Sequence, residues 1–174
     1  MLNFDNFGIT MKTIGLLSDT HSYIDKSILD FFADVDEIWH AGDIGSPEVV
    51  HKLENIKPLR AVFGNIDGIE IRSEFKEVDR FRCENVDVLM IHIGGYPGKY
   101  AFEVKKLIME KPAQLFICGH SHILKVMYDK KLGMMHINPG AAGMSGFHQV
   151  RTAMKFIIDN EEIRDMKILE IQRK

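Results

Sequence analysis

The stretch Ile14-Gly15-Leu16-Leu17-Ser18-Asp19-Thr20-His21 decides how the chain is read. Its first half has the length and composition of a buried β-strand. Its second half stops that strand on a carboxylate and an imidazole two residues apart. In an open α/β sheet, ligands bind at the C-terminal edge of the strands. Carboxylate oxygen and neutral imidazole nitrogen form a common donor set for first-row metals. An isolated Asp-x-His means no more than a helix cap beside an exposed histidine. Here the design recurs four more times downstream.

Residues 35–39 read as a second strand, running into His40-Ala41-Gly42-Asp43, and residues 59–63 as a third, running into Gly64-Asn65-Ile66-Asp67. After His21 and before the second strand, Ile24, Ile28, Leu29, Phe31 and Phe32 give residues 24–33 a helical spacing. Residues 46–54 form a second helix, with Ser46 as N-cap and Pro47 at its first position. This β-α-β-α-β order predicts parallel strands with right-handed crossovers. The second half differs. Residues 75–83 alternate, and Asn85 turns the chain into a strand over 86–91 that ends at His92-Ile93-Gly94-Gly95. A helix over 100–111 stops at Pro112. Residues 115–118 are fully apolar and end at Gly119-His120-Ser121-His122. Strands at 124–128 and 133–137 flank Lys130-Lys131, Asn138-Pro139-Gly140 turns the chain, and 152–158 pairs with 163–171 around Asn160-Glu161. A parallel half followed by an antiparallel-rich half predicts two sheets packed face to face, with helices outside.

Length and composition are consistent with this picture. The 174 residues, 45% hydrophobic and 27% charged, suit one globular domain over 11–174. Residues 1–10 are polar and without periodicity, which reads as a disordered leader with Met11 as an alternative start. The net charge of −3 argues against a broad nucleic-acid footprint, and no stable nucleic-acid partner is expected. No apolar run reaches the length of a membrane span. Cys83 and Cys118 stand alone in strand-like runs, as thiols of a reducing compartment do. A cytoplasmic protein is expected, either monomeric or a homo-oligomer.

The strand ends collect Asp19, His21, Asp43, Asn65, His92, His120 and His122. Glycine precedes several of them and permits the sharp turns that converging loops need. Seven potential ligands exceed the needs of one tetrahedral zinc. They suit two adjacent divalent ions sharing a carboxylate. Two such ions against two aspartates leave a formal surplus of about two positive charges, which attracts a phosphate oxyanion and acidifies a bridging water. His40, His51, His136 and His148 fall outside the pattern and read as surface or hydrogen-bonded structural residues, and the ten methionines as core filling.

Asp19-x-His21, Gly42-Asp43, Gly64-Asn65-x-Asp67, His92 and Gly119-His120-x-His122 together resemble the ordered motifs of the calcineurin-like metallophosphoesterases. The nearest type is the small YfcE-like phosphodiesterase of bacteria and archaea, and the resemblance runs over about residues 13–170. It implies an α/β fold, a four-layer α/β/β/α sandwich of two mixed sheets. It also implies that Asp19, His21 and His122 hold one ion, that Asn65, His92 and His120 hold the other, and that Asp43 bridges them. Asp43, Asn65, His92 and His120 are then the residues expected to act in catalysis, on a small phosphodiester attacked by a metal-bound hydroxide. Manganese suits mixed nitrogen and oxygen ligands around open positions, with Fe, Ni, Zn and Mg as alternatives. Two rivals follow from the same resemblance or chemistry: a non-catalytic scaffold like the retromer subunit of this fold, and a nuclease. Two departures stand out. Many relatives carry Gly-Asn-His-Glu where this chain has Gly64-Asn65-Ile66-Asp67, and Ile66 cannot give a proton to a leaving group. Asn138-Pro139-Gly140-Ala141 has alanine where the family's turn near the site carries a hydroxyl residue.

Overall fold

A computed structural model describes residues 11–173, so the expected leader at 1–10 lies outside the described residues. The chain runs through β1 (Met11–Leu17), α1 (Lys26–Phe31), β2 (Glu37–His40), α2 (Pro47–Glu54), β3 (Leu59–Ala61) and α3 (Ile69–Glu74). It continues through β4 (Val78–Cys83), β5 (Val86–Ile91), β6 (Gly95–Tyr96), β7 (Lys99–Tyr100) and α4 (Phe102–Glu110). It closes with β8 (Leu115–Ile117), β9 (Leu124–Asp129), β10 (Met134–Pro139), β11 (Val150–Asp159) and β12 (Glu162–Gln172). Two five-stranded sheets result, ordered β12-β11-β1-β2-β3 and β4-β5-β8-β10-β9.

Both sheets are mixed. β1, β2 and β3 are parallel, as the β-α-β-α-β order predicts, and β11 returns antiparallel along β1, from Met11 against Asp159 to Leu16 against Met154. In the second sheet β8 lies parallel to both β5 and β10, while β4 and β9 are antiparallel edges.

Side-chain alternation turns these sheets into layers. Ile14, Leu16 and Trp39 of the first sheet pack on Val86, Val88, Met90, Leu115 and Ile117 of the second. The next residues along the strands point the other way. Leu17 and Ile38 meet Ile28 of α1 and Val49, Val50 and Leu53 of α2. Leu89, Ile91 and Phe116 meet Val104 and Ile108 of α4. Residues 14–17 of β1 and 88–91 of β5 are therefore covered on both faces, which is why those stretches read as continuous apolar runs. Between the sheets, Trp39 meets Phe81 and Phe156 edge-on at centroid distances of 5.0 and 5.9 Å. Such pairs contribute about 0.5–1.5 kcal/mol each beyond their burial.

Local chemistry sets the helix starts. The Asp25 carboxylate caps α1 by accepting from the Ile28 N–H, and Arg151 holds its other oxygen at 2.8 Å. Pro47 opens α2 after Ser46, whose hydroxyl makes no capping bond. Two elements go beyond the reading from sequence. The two-strand ribbon β6–β7 is built where Gly94-Gly95 suggests only a turn. α3 spans six residues, of which Ile71 is buried and Ile69 is 85% exposed. One buried apolar residue in six leaves no helical period to read.

Candidate metal centre

The parallel pairing of β1, β2 and β3, and of β5 and β8, sets their C-terminal ends along one side of the sandwich. The loops that follow are laced together by backbone. Asp19 and His21 donate N–H groups to the carbonyls of Gly42 and Asp43, both at 3.0 Å, and Gly119 donates to His92 at 2.9 Å. Asp19, His21, Asp43, His120 and His122 all adopt left-handed φ, between 46° and 68°. Non-glycine residues in that region are strained by about 1–3 kcal/mol each, and such strain collects at functional sites. Two glycines make the crowding feasible. Gly42 has φ +95°, and a Cβ there would press on the His92 side chain; a Cβ on Gly64 would fall on Asp43 Oδ1.

The structure gathers six of the seven strand-end residues into two clusters. Asp19, His21 and His122 form one and Asp43, His92 and His120 the other, with one donor atom of each member within 4.8 Å of its partners. The clusters adjoin. His21 Nε2 lies 4.0 Å from Asp19 Oδ1 and 3.7 Å from Asp43 Oδ2. His92 Nε2 lies 3.9 Å from Asp19 Oδ1 and 3.2 Å from Asp43 Oδ1. Each aspartate thus faces imidazoles of both clusters. Asn65 follows Gly64 in an exposed position and lines a cleft together with His92.

The hydrogen bonds around the clusters turn lone pairs inward. His92 Nδ1 donates to the Ala41 carbonyl at 2.8 Å, so the neutral ring presents Nε2 as an acceptor. That acceptor faces the Asp43 carboxylate, and among the described residues both His92 Nε2 and Asp19 Oδ1 are buried with no hydrogen-bond partner. A buried acceptor left unsatisfied costs about 1–3 kcal/mol. A cation between these atoms removes the conflict. The electrostatics agree. Burial opposes charge on both groups, but His92 and the Ile66 N–H hold Asp43 below the usual carboxylate range, and Asp43 with Asp19 pushes His92 up. Inward-facing carboxylate oxygens and imidazole nitrogens, with Asp19 Oδ1 and His92 Nε2 left unpartnered, fit divalent metal ions.

Residues outside the strand-end pattern support this arrangement. His148 Nε2 donates to the Gly143 carbonyl at 3.1 Å, leaving Nδ1 to accept from His122 Nδ1 at 3.2 Å. His122 then turns Nε2 toward Asp19 Oδ1, 3.2 Å away. Both nitrogens of His148 are engaged, so it orients His122. His40 is fully buried, and burial pushes its imidazole down to about 4. Its Nδ1 accepts from the Gly42 N–H and its Nε2 donates to Thr20 Oγ1, which donates to the Ile44 carbonyl. Asp67 accepts the N–H groups of Ile44, Gly45 and Gly64 at 2.7–3.2 Å. The loop after β2 is thereby tied to the loop after β3. The sequence singles out Asp67 only by its place in the Gly-Asn-x-Asp run; nothing in the pattern marks it as a clamp.

Comparison with known proteins fits this geometry. The model of the calcineurin-like phosphoesterase superfamily domain matches residues 11–161. A probable metallophosphoesterase of Methanothermobacter thermautotrophicus is 37% identical over 139 residues, covering 74% of this chain and 76% of the relative. Among solved structures, an archaeal phosphodiesterase superposes with a TM-score of 0.69 at 22% identity, over 90% of this chain and 99% of that one. Vps29 of Entamoeba histolytica, solved with zinc, reaches 0.71 at 17% identity over 92% and 98%. The family match and the curated relative define the class as metal-dependent phosphoesterases. The chain belongs to the calcineurin-like phosphoesterase superfamily. Among the described residues no helix is long and apolar enough to cross a membrane.

Proposed function

We propose that this protein is a phosphodiesterase that works with two divalent ions, manganese in the first place, on small phosphodiesters. One observation carries the reading: Asp19 and Asp43 each face imidazoles of both clusters, with buried acceptor atoms aimed between them. Asp19, His21 and His122 would hold one ion, Asn65, His92 and His120 the other, and Asp43 both. When bound, such ions draw in phosphoryl oxygens and supply an activated water. The chain's own residues set the rest. His92 and His122 are locked in the tautomers that point Nε2 inward by Ala41 and His148. His120 is exposed and lines the cleft beside its cluster. The buried free thiols Cys83 and Cys118 suit a reducing cytoplasm.

The leaving side of the reaction is under-equipped. Ile66 is 46% exposed next to Asn65, and its N–H donates to Asp43 Oδ1 at 3.1 Å. Its side chain carries no acidic proton. His148 and Asp67 are both committed to hydrogen bonds elsewhere. A general acid typically contributes ~10²–10⁴-fold. Without one, aryl diesters whose phenolates leave unaided are expected to turn over well and alkyl diesters poorly. The test is kcat/KM for manganese-loaded protein across substituted phenyl and alkyl diesters and their monoesters. A steep dependence on leaving-group pKa, with diesters preferred, is the expected result. A shallow slope contradicts the reading of Ile66, and exclusive turnover of monoesters contradicts the phosphodiesterase.

A further inference from the structure

Two clefts open beside the Asp43–His92–His120 cluster. The first, of about 260 Å³, has His120 in its wall together with Tyr96, Ile123, Lys99 and Lys125. The second, of about 270 Å³, has Asn65 and His92 in its wall together with Phe63, Phe102, Glu77 and Glu103. Ile93 and Ala101 line both, so they form the ridge between them. The charges differ in sign. Lys99 and Lys125 make no ion pair among the described residues, and Lys125 Nζ rests 3.8 Å from the centroid of the Tyr96 ring. Glu77 and Glu103 likewise have no ion-pair partner among the described residues. Arg72, which also lines the second cleft, is stacked on Phe63 and gives its N–H groups to the carbonyls of Gly64 and Asp67. The first cleft is therefore cationic, and the second, with two glutamates against one arginine, is anionic on balance.

A phosphodiester has two ester arms and a monoester one. The geometry points to an asymmetric phosphodiester as the substrate, its phosphate at the metal cluster and its arms divided by the Ile93–Ala101 ridge. The arm in the first cleft is flat and apolar and bears a further anionic group for Lys99 and Lys125. The arm in the second is apolar and neutral or cationic. Unpaired charges of opposite sign on the two sides fix which arm goes where, because a reversed substrate puts its anion beside Glu77 and Glu103. This inference rests on the phosphodiesterase reading.

The experiment uses full-length manganese-loaded protein and four diaryl phosphodiesters of matched leaving-group pKa: neutral–neutral, anionic–neutral, anionic–cationic and doubly anionic. Exposed charges close to a ligand at moderate salt support a preference of about tenfold. The anionic–cationic and anionic–neutral diesters are expected to exceed the doubly anionic one in kcat/KM by about that factor. Lys125→Glu is expected to erase or invert the ratio between anionic–neutral and neutral–neutral substrates. Glu103→Lys is expected to raise the doubly anionic diester toward the others. Glu103 is exposed and Lys125 half-buried, and melting temperature checks that the variants fold. If Lys125→Glu does not fold, Lys99→Glu makes the same prediction. Competition by the corresponding non-hydrolysable phosphonates should rank in the same order. Diester turnover with no charge preference, or ratios unchanged in the variants, overturns the cleft assignment and leaves the phosphodiesterase standing. No diester turnover at all overturns both.

Discussion

Asp43→Ala is expected to lower kcat/KM by ~10³-fold or more, because loss of an outer partner alone typically costs 10–100-fold in metal affinity and a shared direct ligand acts at two ions. Both aspartates face both clusters, but Asp19 does so through Oδ1 alone and Asp43 through its two oxygens separately. Asp43 Oδ1 lies 3.2 Å from His92 Nε2 and its Oδ2 3.7 Å from His21 Nε2, so its carboxylate spans the two clusters. It also carries the negative charge that lies between two cations in the proposed centre. Asn65 is neutral, exposed and adjacent to one cluster only. Asn65→Ala should therefore cost less. Measuring kcat/KM and bound metal on the same preparations checks this, and an equal or milder loss at Asp43 contradicts its shared position.

Asp67→Ala is expected to act mainly on stability. Its buried carboxylate satisfies three backbone N–H groups in two loops, at 3.2 Å from Ile44, 2.7 Å from Gly45 and 2.7 Å from Gly64. Each buried donor left unpaired costs about 1–3 kcal/mol, and relaxation makes the sum less than additive, so a loss of ~3–5 kcal/mol is expected. For a chain of this size that corresponds to a fall in melting temperature of roughly 10 °C. The metal-free protein should show it, which separates the effect from metal loss. Asp67→Asn keeps the shape and an acceptor oxygen and should fall less. If Asp67 were instead the proton donor to the leaving group, Asp67→Asn would leave melting unchanged and depress turnover of poor leaving groups selectively.

The parts of this molecule that were legible in its sequence are those governed by periodicity and by strand ends. Residues 14–17 of β1 and 88–91 of β5 are buried on both faces, so these stretches are unbroken apolar runs, and the polar residues that follow them stand out by contrast. Pro47 and the helical spacing before it locate two crossovers, and these dictate the parallel half of the first sheet. What was not legible depends on contacts between loops distant in sequence. α3 buries Ile71 alone and has no face to read. The return of β11 along β1 is a choice between sheets that local patterning does not make. His148 lies 26 residues beyond His122, and only the Gly143–His148 loop brings their rings to a centroid distance of 5.0 Å. Asp67 stands out in the sequence only as the end of the run Gly64-Asn65-Ile66-Asp67, whereas its surroundings are three N–H groups from two loops. The left-handed backbone at Asp19, His21, Asp43, His120 and His122 has a faint sequence signal at most, since Asp and His tolerate that region better than most residues.

In the proposed centre the two clusters hold two ions. Anomalous scattering from crystals equilibrated with manganese tests it most directly. Two peaks per chain are predicted at saturation, one among Asp19, His21 and His122 and one among Asp43, His92 and His120. A single peak at saturating metal would contradict the dinuclear centre.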